Sequence, residues 1–149
     1  MAGENRSCGA ILVAASDSQG TIVNAHGLDV YALSHHKDAG NPVSTYDAGR
    51  AQAADAIIDV ECDVWIPAAR PDVIHETNAD RLRPRLIPQG ANIPITSRAE
   101  QMLADRGVLL VPDFIANAGG VICVTVCPPH AIRAVAERNA SPHVPSSPP

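Results

Sequence analysis

Short apolar runs alternating with segments of helical periodicity predict an α/β fold, an open, mainly parallel sheet with flanking helices. Two features of the composition agree. Apolar residues make up 46% and charged residues 18% of the 149, the balance of a globular chain of one-domain size. Aromatics are only 3%, so the core must be built from Ala, Val, Ile and Leu.

Taken in order, Ala10-Ile11-Leu12-Val13-Ala14-Ala15 is a continuous apolar run of strand length, ending at Ser16-Asp17-Ser18. Thr21-Ile22-Val23 is a second extended piece. Asp29 is placed to cap a helix carrying Val30 and Leu33 on one face, and Gly40 stops it. Ala51 to Ile58 reads as a short helix. Val64-Trp65-Ile66 reads as a buried strand closed by Pro67, and residues 73–82 as partly helical. Leu86-Ile87 opens another strand that runs into Gly90-Ala91-Asn92. Ser97-Arg98-Ala99-Glu100 has the pattern of a capping box, so a helix carrying Met102 and Leu103 should start there and end at Gly107. Val108-Leu109-Leu110-Val111 is the last strong strand, stopped by Pro112. Continuous apolar strands of this kind are those buried on both faces of a parallel sheet. Residues 141–149 hold four prolines and three serines, the composition of a disordered tail.

Several function classes are disfavoured. A net charge of −5 offers no clustered positive face for nucleic acid. No apolar run approaches the ~20 residues of a membrane helix. The polar N-terminus is unlike a secretory signal, so a cytoplasmic location is expected. The cysteines at 8, 62, 123 and 127 then read as small hydrophobes rather than disulfides. Cys123, Cys127 and His130 have no second paired half and no evident fourth ligand, so no metal site is expected. The histidines, His35 and His36 on a helix surface among them, read as solvated.

In an open parallel sheet, ligands bind at the carboxyl ends of the strands. The residues there are Ser16-Asp17-Ser18, Pro67-Ala68-Ala69, Gly90-Ala91-Asn92, and Pro112-Asp113 followed by Asn117-Ala118-Gly119-Gly120. Small residues let a flat ring or sugar approach the backbone. Asn offers both a donor and an acceptor, matching a carboxamide or ribose hydroxyl. A carboxylate ending a strand can accept from a ribose diol, and equally it can cap a turn; Gly and Asn are also favoured in turns.

Several of these segments resemble one family in order. Ala14 to Ile22, with Gly27-Leu28-Asp29, looks like the second strand and turn of the nucleotide-binding domain of glutamate/leucine/phenylalanine/valine dehydrogenases. Asp63 to Ala69, Asn78-Ala79-Asp80, Gly90-Ala91-Asn92 and the stretch from Val111 to Val121 continue the match, which spans about residues 10–124. The resemblance implies oxidative deamination of an L-amino acid, with hydride passed to NAD or NADP. It implies Asp17 and Ser18 near the adenine ribose, and Ala68 and Ala69 along the cofactor. Asn92 would contact the nicotinamide-side ribose, and Asn117 the carboxamide or substrate. Gly119 and Gly120 would give close packing where the next helix starts. Asp17 favours NAD, because a carboxylate repels a 2′-phosphate unless a basic group compensates.

The family's glycine-rich phosphate loop and its catalytic lysine and aspartate find no counterpart. The chain has no Gly-x-Gly, and its one lysine, Lys37, reads as solvated on a helix surface. Pro128-Pro129 would break the helix the family continues after Val121. The resemblance therefore implies an incomplete Rossmann-like open, mainly parallel sheet with flanking helices: a partial NAD(P)-binding domain over 1–127, with a diverged extension over 128–149, expected to come from a truncated or frameshifted reading frame and to be inactive alone. Two other readings stay open: a non-catalytic module that binds nucleotide or pairs with a complete dehydrogenase subunit, and one half of a split enzyme.

Overall fold

The computed structural model describes residues 9–118. The expectations for Gly119, Gly120, Cys8, Cys123, Cys127, His130, His143 and the tail lie outside them. The described residues form a small α/β arrangement with two sheets, one of three strands and one of two.

The first sheet is antiparallel. Strands β1 (Ala14–Asp17) and β2 (Gly20–Val23) form a hairpin with Asp17 opposite Gly20. A two-residue connection cannot make the crossover that parallel strands need, so the hairpin fixes the direction. Gly20 is buried, and a Cβ there would stand 2.7 Å from the Cβ of Ser44, so only glycine fits this close approach. β3 (Arg50–Gln52) adds antiparallel to β2. This corrects the expectation of a mainly parallel sheet at this end. It also moves the first strand from Ala10–Ala15 to Ala14–Asp17.

The helix expected over 51–58 is replaced by β3 and a 3-10 turn, Ala54–Asp59. Pairing of Ala51 and Gln52 with β2 takes the backbone bonds a helix would need. The Ala54 carbonyl is also fixed, accepting from the Ser16 and Thr21 hydroxyls. Helix propensity of alanine is a weak force beside such tertiary pairing.

The second sheet is parallel as expected, pairing β4 (Leu86–Pro88) with β5 (Leu109–Val111). On the other edge of β4, Val64 forms a parallel bridge to Leu86, with the Trp65 amide donating to the Leu86 carbonyl. The 64–66 segment is therefore extended but joins the sheet at one residue. Trp65 is buried, while Val64 and Ile66, which alternate with it onto the opposite face, are 46% and 60% exposed. Between residues 73 and 82 only Ala79–Arg81 is helical, as a 3-10 turn. The Asn78 side chain accepts from the His75 amide and donates to the Val73 carbonyl, and such local bonds compete with a helix.

Helices α1 (Val30–Asp38) and α2 (Ser97–Asp105) form where the sequence places them. Asp29 caps α1, accepting from the Ala32 amide at 3.0 Å. The cap of α2 is Thr96, one residue before the expected box, accepting from the Ala99 amide at 3.3 Å. Glu100 does not reach back to the cap. It instead accepts from buried Gln89 at 2.7 Å and ties the helix to the end of β4. α3 (Asp113–Ala116) is a single turn after Pro112.

Two apolar clusters hold these parts. Ile74, Leu82, Ile87, Ala99 and Leu103 are fully or almost fully buried around the parallel pair, with Trp65 donating its indole N–H to the Ile57 carbonyl. Ile22, Leu28, Leu33 and Val43 fasten α1 under the hairpin. Cys62 is half-buried against the first cluster, and burial pushes its thiol pKa up. That agrees with its reading as a small hydrophobe. No helix among the described residues is long and apolar enough to cross a membrane.

Candidate functional site

The polar turns that follow the strands come together in two places. The first is a cavity of about 690 Å³ beside the β1–β2 turn. Asp17, Ser18 and Ala69 line it, facing His75, Asn78 and Arg81. Ser18 and Ala69 are exposed.

Asp17 is more occupied than the sequence suggests. One carboxylate oxygen accepts from the Gln19 amide at 2.9 Å. The other accepts from the Lys37 ammonium at 2.7 Å and from the Val43 amide at 3.0 Å. The Lys37 bond is the largest cause of a carboxyl pKa near 2, with burial opposing it and the two amides assisting. Asp17 therefore acts as a turn cap and as an anchor for α1. Both of its oxygens are already engaged, although the site stays open to a ligand beside it. Lys37, read from the sequence as solvated, is half-exposed at 41% and paired. Twenty residues separate the partners, and only the docking of α1 on the hairpin brings them together.

The second place is at the ends of β4 and β5. Asn117 donates from its side-chain nitrogen to the side-chain oxygen of Asn92 at 2.7 Å, so two predicted site residues meet directly. Their bond leaves the amide nitrogen of Asn92 as a donor and the oxygen of Asn117 as an acceptor, a combination complementary to a primary carboxamide. Asn92 is exposed and Asn117 half-buried.

Ala68 precedes cavity-lining Ala69 in the chain and packs against Gly90 beyond the end of β4. A Cβ on Gly90 would lie 3.3 Å from the Ala68 Cβ, and the Ala91 amide donates to the Pro67 carbonyl at 2.8 Å. Small residues here leave the backbone accessible along the edge. Gly119 and Gly120 lie outside the described residues, so their expected packing role stays an expectation.

His75 and Asn78 were not singled out as site residues by sequence reasoning. The Asn78 side chain also bonds the His75 ring at 3.1 Å, and Thr77 bonds its other nitrogen at 2.8 Å. The only available signal was the short Asn78-Ala79-Asp80 motif, which carries no chemistry until the fold turns it toward the cavity. Among the described residues no group of three or more His, Cys, Asp or Glu is arranged to hold a metal.

Comparison with known proteins gives one consistent result. The sequence profile described as Glutamate/Leucine/Phenylalanine/Valine dehydrogenase matches residues 2–126. Glutamate dehydrogenase of Thermotoga maritima is 41% identical over 113 residues, covering 76% of this chain and 27% of that protein. Among solved structures, glutamate dehydrogenase 2 of Plasmodium falciparum superposes with a TM-score of 0.68 at 28% identity, over 76% of this chain and 27% of its own. The hetero-hexameric glutamate dehydrogenase of Thermus thermophilus, with leucine bound, gives 0.67 at 25% identity, over 91% and 30%. The chain thus spans under a third of the length of these relatives.

Proposed function

Because this chain belongs to the glutamate/leucine/phenylalanine/valine dehydrogenase family, we propose that it is the dinucleotide-holding part of an NAD(P)-dependent, glutamate-type amino-acid dehydrogenase. The family-like part is residues 1–127, an incomplete Rossmann-like unit, and residues 128–149 are an extension to it.

The observation that carries the reading is the Asn92–Asn117 pair, whose free donor and acceptor match the carboxamide of a nicotinamide. The cavity beside Ser18 and Ala69 has room for the adenosine end, and the mutually bonded His75 and Asn78 form part of its wall. A bound NAD(P) would supply the hydride acceptor for the family's oxidative deamination of an L-amino acid to a 2-oxo acid. The residues of this chain named above would bind and orient the cofactor, and none of them is assigned a proton-shuttle role. Its one lysine is held on Asp17, a partner at the adenosine side of the proposed site. The chain is accordingly inactive alone.

Lys37 also bears on the choice of cofactor. The carboxylate of Asp17 argues against a 2′-phosphate, but the ammonium at 2.7 Å neutralises it and stays partly exposed. Both NAD and NADP are therefore admitted. Calorimetric titration of the purified chain with each dinucleotide, beside a glutamate-dependent reduction assay, tests the proposal. Binding without turnover is expected. Absence of binding overturns the cofactor assignment, and turnover overturns the inactivity.

A second reading, pairing with another dehydrogenase polypeptide, is favoured by a groove of about 490 Å³ between the 9–14 and 60–66 segments. Ile11, Val64 and Ile66 are exposed along it, and the backbone groups of Val64 and Ile66 take part in no hydrogen bond among the described residues. An unpaired extended edge with apolar side chains is a template for one more strand. Co-purification with a complete family subunit would support pairing. A chain that stays monomeric in its presence would refute it.

A further inference from the structure

Ile93 has a backbone conformation that β-branched residues rarely adopt, with φ at +47°. Its side chain is 66% exposed, so packing does not hold it there. Hydrogen bonds do. The Ile93 amide donates to one carboxylate oxygen of Asp113 at 2.8 Å, and its carbonyl accepts from the Asp72 amide at 3.0 Å. Asp72 itself has a φ of +50°. Strain that persists only because neighbouring groups hold it is commonest at ligand sites.

The bonds close a ring around the two asparagines. Asp113 holds Ile93, the neighbour of Asn92, through its side chain. Its other carboxylate oxygen accepts from the Phe114 amide at 2.7 Å, and its backbone carbonyl accepts from the Asn117 amide at 2.8 Å. The Asn117 side chain then donates to Asn92 at 2.7 Å and completes the circuit. Among the described residues, Asp113 is bonded to both arms of the ring. Each of its carboxylate oxygens is engaged by one of these backbone amides.

We propose that Asp113 is a positioning residue: by holding Ile93 in its left-handed conformation and starting the turn that carries Asn117, it presents the two asparagine side chains as one fixed receptor for the carboxamide of a dinucleotide. The inference rests on the dinucleotide reading above, and deepens it by naming what sets the receptor's geometry. Asp113 acts through Asn92 and Asn117 and does not itself touch the ligand.

The test compares Asp113→Ala and Asp113→Asn with the unaltered full chain, titrated with NAD and with ADP-ribose, which lacks the nicotinamide. Asp113→Ala should weaken NAD about tenfold, the loss expected on removing one member of a coupled network, and leave ADP-ribose within about twofold. Asp113→Asn, which keeps one acceptor, should recover most of the NAD affinity. Ile93→Gly removes the need for the restraint, so adding Asp113→Ala to it should cost clearly less than in the unaltered chain. Equal loss for both ligands, or no loss for NAD, overturns the proposal.

If the unaltered chain binds neither ligand, the dinucleotide reading fails. The side-chain amide resonances of Asn117 then decide the positioning: Asp113→Ala should move them to free-amide values and Asp113→Asn should not. Resonances that stay in place in Asp113→Ala overturn it.

Discussion

Replacing Asp17 with Asn keeps the shape of the side chain and removes its charge, which makes it a direct probe of how the hairpin and α1 are joined. In the wild-type chain the carboxylate accepts from Lys37, Val43 and Gln19 at 2.7, 3.0 and 2.9 Å. A folded pKa of about 2 against an ordinary 3.8 corresponds to about 2 kcal/mol of preference for the ionised form. Lys37 is half-exposed, so solvent screening reduces that contribution to about 1 kcal/mol. The side-chain nitrogen of Asn donates and cannot accept, so whichever way the amide turns at least one of the Gln19, Val43 and Lys37 donors loses its acceptor, which adds about 1 kcal/mol. Asp17→Asn should therefore destabilise by about 2 kcal/mol at pH 7.

The pH dependence follows from the sign of the shift. A carboxyl whose pKa is lowered on folding stabilises the protein above its unfolded pKa. That contribution fades as pH falls through the folded value. The gap between wild type and Asp17→Asn should be constant from pH 7 to about 5 and shrink between about 4 and 2, as the carboxylate takes up its proton. Urea unfolding followed by Trp65 fluorescence at a series of pH values measures it. A gap that is absent at pH 7, or undiminished at the acid end, refutes the assignment of Lys37 and Asp17 as a pair.

Three further outcomes are expected. Leu103 is fully buried between α2 and the parallel strands, so Leu103→Ala should cost about 3 kcal/mol in chemical denaturation. Thr96→Ala removes the cap of α2 and should cost about 1 kcal/mol, measurable as a drop in Tm. On the proposed cofactor site, Lys37→Ala leaves Asp17 without its counter-charge, so calorimetry should show NADP weakened more than NAD; equal changes would remove Lys37 from cofactor choice.

Local chemistry in the sequence located α1, α2, β4 and β5, because caps, glycine stops and apolar runs act over a few residues. Asp29 and Gly107 are such signals. The antiparallel first sheet was less visible. Ala10 to Ala15 is apolar throughout, so its periodicity cannot say where pairing begins, whereas the tight turn between Asp17 and Gly20 and the close approach at Ser44 decide it. The segment from Ala51 to Ile58 has helix-forming alanines, but its bonds go to β2 and to hydroxyls far away in sequence.

The same division holds for the site. Asn92 and Asn117 stand out because an amide at a strand end has recognisable chemistry, and the fold brings them to 2.7 Å. The ion pair of Lys37 with Asp17, and the hold of Asp113 on Ile93, each join residues twenty positions apart. Neither has a sequence pattern of its own, since both exist only after the elements dock.

Nitrogen–proton correlation spectra of the labelled chain during titration with NAD test the central claim most directly. The account predicts saturable shifts at Ser18 and Gln19, at Ala69 and Arg70, and in the side-chain amides of Asn92 and Asn117. Spectra that do not change, or shifts confined to the groove along Ile11 and Val64, would contradict it.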